Sequence, residues 1–377
     1  MLVRILAALL GLIIVAATVL SAVRTFVLPR AAHDPITRIV FRGLRRVFDF
    51  RLRFARDYET RDRIMALYAP ISLLALAPVW FALTTLGFTG LYWATGIPDL
   101  QTAFTISGSS LLTLGFARGD SLLHTVFAFT EAALGLILVA VLIAYLPTMY
   151  AAFSRREVQV NQLSVRAGSP PSPIEMLLRF YRLGQISRLS AFWSEWETWF
   201  VEVEESHTSL SALVFFRSPL PQDNWVNAAA TVLDAAALRL SLLTLPDELR
   251  VSLIGTRQEV PVDANAAICL RSGFLALRHI AEYFSIPFNA DPHWPDDPIS
   301  ITRSQFDQAV RMFQLQGLPL RDDLDKAWRD FAGWRVNYDS VLAALRRLTM
   351  APRASWIYDG PSIGVTPRDL ETPPADG

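Results

Sequence analysis

The chain has a single cysteine, Cys269, and no surplus charge: 35 basic residues balance 35 acidic ones over 377 residues. One cysteine excludes an intrachain disulfide framework and any multi-cysteine metal site, and Cys269 reads as a small buried hydrophobe rather than a nucleophile. A phosphate-cradling glycine loop is missing too. Gly108, Gly115 and Gly119 fall between apolar runs, Gly317 and Gly333 stand alone, and no Gly-x-Ser-x-Gly nucleophile elbow occurs. Catalysis is therefore without sequence support, and the chain reads as a non-enzyme. Strand signals are scarce, confined to residues 251–254 and 259–262.

What is present is apolar sequence, 52% of the chain, and a strong segregation of charge. Residues 5–23 are apolar apart from Thr18 and Ser21, long enough to cross a hydrocarbon layer about 30 Å thick. Eleven arginines against five acids follow between residues 24 and 63, and that bias keeps the segment cytoplasmic. Residues 1–23 are therefore expected to be an uncleaved anchor rather than a signal peptide. Within the basic segment, 24–67, Val40, Leu44, Val47 and Phe48 recur at helical spacing among Arg42, Arg45, Arg46 and Arg53. An amphipathic helix with Arg42, Arg45 and Arg46 on anionic lipid headgroups is one reading, and a solvated topology-setting loop is the other. Flanking spans argue against a nucleic-acid partner.

No charge occurs from residue 64 to 98, and 69–89 is expected to be a second span, kinked at Pro78, with Tyr92 and Trp93 in an interfacial aromatic belt. A short helix over 100–112 and a loop follow, and then a third span within 121–153, stopped by Arg155 and Arg156. The loop reads Ser107-Gly108-Ser109-Ser110-Leu111-Leu112-Thr113-Leu114-Gly115-Phe116-Ala117-Arg118-Gly119-Asp120. It resembles the pore loop of bacterial two-span potassium channels, within the wider family of pore-loop cation channels. Thr113, Leu114, Gly115 and Phe116 match the first four positions of the family's Thr-Val-Gly-Tyr-Gly filter in type. At the fifth, Ala117 and Arg118 stand before Gly119 and Asp120, so the filter is degenerate.

That resemblance implies a homotetramer in which carbonyls along Thr113 to Ala117 coordinate dehydrated potassium or another monovalent cation, with no other cofactor. Arg118, Gly119 and Asp120 would form the pore mouth, where four copies of Arg118 repel cations. Gly135 is either a hinge of the inner helix or a small-residue packing contact; Pro147 either bends that helix at a gate or marks its end. Glu131 is expected to bond the backbone behind the filter, to pair with Arg118, or to meet water at the interface.

After a linker, 154–173, helical periodicity returns over 174–189, 191–206, 224–244, 264–284, 303–316 and 324–349. Trp193, Trp196 and Trp199 form a stripe read as core packing. Glu204, Glu205 and His207, with Asp234, match no trusted metal spacing and read as solvated side chains at a helix end. Residues 215–219 are expected to be a turn, and 351–377 a disordered tail. The expected fold is thus all-α: an anchor, a pore domain at 68–153 with a re-entrant loop, and a helical domain at 174–350. Arginine bias places the helical domain in the cytoplasm below a bacterial inner membrane. The expected function is a potassium-like channel, and the alternative is a non-conducting membrane sensor or scaffold that keeps the channel-like fold.

Overall fold

The computed structural model describes residues 1–26, 34–244, 263–352, 354, 356 and 357. Among them the chain is helical, with no strand and one isolated bridge between Leu243 and Leu320. The extended segments expected at 251–254 and 259–262 lie outside the described residues.

Three stretches are long and apolar enough to cross a membrane: Leu2–Phe26, Tyr58–Ala94 and Leu122–Ala167. The first is helix α1. A basic helix, α2 (Pro35–Leu52), follows it, capped by the Asp34 carboxylate on the Thr37 amide, with Pro35 at the first turn. Next come α3 (Tyr58–Ala66) and α4 (Tyr68–Ala94). α1 lies antiparallel on α4, with Arg4 over the Trp93 ring at one end and Ser21 accepting from the Trp80 indole nearer the other. Small residues bring the two backbones together. A Cβ on Gly11 would meet the Gly87 carbonyl, and one on Gly90 would come within 3.0 Å of the Ala7 carbonyl.

Helix α5 (Leu100–Leu111) starts at Asp99, whose carboxylate takes the Thr102 amide at 2.8 Å. It is packed between α4 and α6 (Leu122–Ala167). α6 departs from expectation at its lower end. Arg155 and Arg156 do not stop it; the helix runs on to Ala167, and Gly168, at φ 86°, ends it. Val160, Leu163 and Ala167 recur at helical spacing and are buried in the core of the second half of the chain, which explains the continuation. The linker expected at 154–173 is therefore helical for most of its length. Pro147 lies inside α6 rather than at its end.

The second half packs around α9 (Trp225–Ser241), every residue of which is buried. Its neighbours are α7 (Pro173–Arg182), α8 (Leu189–Ser209), α10 (Ala264–Tyr283), α12 (Leu324–Arg335) and α13 (Asp339–Thr349), with α11 (Arg303–Leu315) packed on α7. Two expected helices divide. The run 174–189 ends at Arg182, where Gly184 takes φ 64° and Gln185 donates back to the Phe180 carbonyl at 2.8 Å, a Schellman cap. The run 324–349 breaks at Val336 to Tyr338 as Tyr338 turns inward to donate to Asp234 at 2.9 Å.

A helix buried on all sides must neutralise its charges internally. Asp234 of α9 accepts from Arg335, from Tyr338, and from the Trp356 indole at 3.1 Å. Trp356 and Ile357 are buried in the core, and Asn227 donates to the Pro352 carbonyl at 2.9 Å. Of the tail expected from 351, Pro352, Trp356 and Ile357 are thus docked on the core; residues 353, 355 and 358–377 lie outside the described residues. Trp193, Trp196 and Trp199 are buried side by side, Trp196 and Trp199 with ring centroids 4.6 Å apart. Phe215 closes a 3-10 turn, Ser211–Phe215, that joins the halves: Ala212 and Leu213 pack with Leu73, Leu76, Trp80 and Met149.

Candidate functional site

Helix α5 and the loop after it are held from both sides. The Ser107 hydroxyl lies 3.1 Å from the Thr85 carbonyl of α4 and bonds the Glu131 carboxylate of α6. Glu131 is fully buried. It neither meets water nor pairs with Arg118, which is exposed and forms no ion pair among the described residues. The Tyr92 hydroxyl lies close enough to Ser110 and Glu131 to interact with both, although it closes no hydrogen bond of ordinary geometry. Tyr92 is buried against Phe88, Phe127 and His124. Gly135 is buried where a Cβ would run into the Leu111 carbonyl, the end of α5.

The loop itself is wound tightly. Leu114 and Gly115 both donate to the Ser109 carbonyl, at 2.8 and 3.2 Å, and Ala117 donates to the Ser109 hydroxyl at 3.0 Å. Thr113 sits at φ 57° and Gly115 at φ 73°. Left-handed backbone suits Gly115; in the β-branched Thr113 it is strained, by about 1–3 kcal/mol. The loop's donors are thus largely used up inside it. The carbonyls of Thr113, Leu114, Gly115 and Phe116 accept no hydrogen bond among the described residues. All four residues are exposed, so in a single chain these acceptors face solvent. Leu114 and Phe116 project outward, 60% and 69% exposed.

Gly119 leaves room for His124, whose ring a Cβ at 119 would strike. His124 is half of a second anchor, 3.1 Å from the Thr95 hydroxyl beyond α4, while Ser121 caps its helix. Asp120 is exposed. Pro147 lies well below this region, on the far part of α6. His124 and the Ser107–Glu131 pair escaped the sequence reading as partners; the only signal was that each is polar within an apolar run.

The other residues singled out do not converge. Glu204 bonds His279 at 2.7 Å, His207 accepts from Arg156 at 3.1 Å, and Asp234 belongs to the Arg335 network. No group of His, Cys, Asp and Glu able to hold a metal occurs among the described residues. Compared with protein-family models, with curated proteins and with solved structures, the chain finds no match.

Proposed function

We propose that the chain is one subunit of a homotetrameric pore for monovalent cations, similar to the potassium channels its loop resembles. The observation that carries this reading is the row of four unpartnered carbonyls from Thr113 to Phe116 behind a helix of 12 residues. A helix of that length spans about 18 Å, too short to cross a bilayer and long enough to enter it from one side and return. Its C-terminal end carries partial negative charge toward the loop, which favours a cation there. The exposed faces of Phe104, Leu114 and Phe116 give neighbouring copies an apolar surface to cover. In this assembly α1 and the arginine-rich α2 set the topology, Arg118 lies at the outer mouth, and the helical second half hangs from α6 in the cytoplasm.

A non-conducting scaffold is the second reading, and Arg118 favours it, because four guanidinium groups at a narrow mouth oppose cation entry. Cation flux into liposomes carrying the purified protein separates the two. The pore reading expects flux that Gly115→Val abolishes while the protein remains folded, because valine resists φ 73°. Flux indifferent to that substitution would dismiss the loop as the path.

A further inference from the structure

At the opposite end of the spans from the loop, a cavity of about 470 Å³ opens between α1, α2, the lower ends of α4 and α6, and the second half of the chain. That volume suits a ligand of ordinary small-molecule size. Four arginines, Arg24, Arg38, Arg42 and Arg45, line it against one carboxylate, Asp34. The carboxylate is already engaged: its Oδ2 takes the Ser21 hydroxyl and the Thr37 amide, both at 2.7 Å. Arg45 pairs with Asp49 at 2.9 Å, whereas Arg24, Arg38 and Arg42 form no ion pair among the described residues. The remaining wall is largely apolar, with Phe41, Leu73, Tyr145 and Phe284.

Uncompensated guanidinium groups beside an apolar wall select a ligand with the complementary halves. We propose that this cavity binds a phosphate-bearing anion with an apolar body. Guanidinium groups recognise phosphate through paired, charge-assisted hydrogen bonds, and the aromatic wall takes the rest. Position allows two sources. Tyr145 stands 23 residues along α6 from Leu122, about 35 Å, so the cavity sits one membrane thickness from the outer end, where lipid headgroups lie. A soluble organic phosphate would reach it from the aqueous side. In either case the ligand touches Tyr145 of α6, Phe215 of the joining turn and Phe284 just beyond α10. Occupancy would therefore clamp the second half of the chain to the long helix. The site stands whether or not the protein conducts.

Native mass spectrometry of the full chain in a neutral detergent, offered phosphatidylglycerol or phosphatidylcholine, tests the lipid source. Thermal unfolding in phosphatidylcholine nanodiscs with added pyrophosphate tests the soluble one. The expected result is about a tenfold preference for phosphatidylglycerol, or a pyrophosphate-dependent rise in midpoint, lost in Arg38→Gln/Arg42→Gln and also in Ser211→Trp, which fills the cavity and keeps every charge. Thr37→Trp, from the opposite wall, serves if Ser211→Trp fails to fold. A preference lost with the arginines but kept in the filled cavity would place the lipid on the outer face of α2 and overturn the site. Absence of both responses in the unaltered protein would overturn it equally.

Discussion

At the scale of single residues, the second half of the chain depends on charges buried in pairs. Asp234 takes three donors, and Arg335 is fully enclosed between it and Asp339, which it meets at 2.7 Å. Burial, and then the Asp234 carboxylate, push the Tyr338 hydroxyl well above its ordinary value, so that it stays a donor. Removing Asp234 leaves the buried guanidinium with Asp339 alone and takes the acceptor from the buried Tyr338 hydroxyl and Trp356 indole. Asp234→Ala is expected to cost about 3–5 kcal/mol in chemical denaturation followed by tryptophan fluorescence, which the buried Trp356 beside it makes sensitive. His207 sets a pH limit. Burial first, and then Arg156, hold its imidazole well below 6.5, so it stays neutral in the folded chain. The unfolded chain gains that proton as pH falls through about 6.5, and the folded chain does not. Stability is therefore present above this pH and lost below it, by about 1.4 kcal/mol per pH unit. His207→Gln should flatten that part of the stability profile relative to the unaltered protein.

At the scale of elements, the arrangement turns on how closely α6 approaches α5. Gly135 permits the contact, because any side chain there meets the Leu111 carbonyl. Gly135→Leu is expected to lower stability by about 1–3 kcal/mol and to displace the loop, seen as loss of flux in protein that still unfolds cooperatively. The three apolar helices and the short α5 were legible in the sequence because their signal is local: long uncharged runs. The continuity of α6 through Arg155 and Arg156 was not. Arg156 is buried there by carbonyls of Leu213 and Phe216 at 2.9 and 2.8 Å, partners more than fifty residues away. Nor was the Ser107–Glu131 bond legible, since it joins two helices whose relative rotation no spacing encodes. The break at Tyr338 was hidden for the same reason: its cause is Asp234, on another helix. The filter-like sequence of the loop was visible, but its unpartnered carbonyls depend on backbone geometry.

At the scale of the whole molecule, a single chain presents an open loop, with Leu112, Leu114 and Phe116 uncovered at one end. At the other end α6 passes without interruption into the core of the second half. α6 is shared between the two regions, with Pro147 inside it and the arginine-lined cavity at the joint. In the proposed tetramer, four such chains around an axis would bring their loops together and bury the apolar faces, and conduction is what that arrangement would provide. The direct test is current through the purified protein in a planar bilayer under opposed potassium and sodium gradients, with Arg118→Gly run beside the unaltered chain. The account predicts cation-selective current, larger in Arg118→Gly because the positive charge at the mouth is gone. Silence in both proteins, with both folded and inserted, would contradict it.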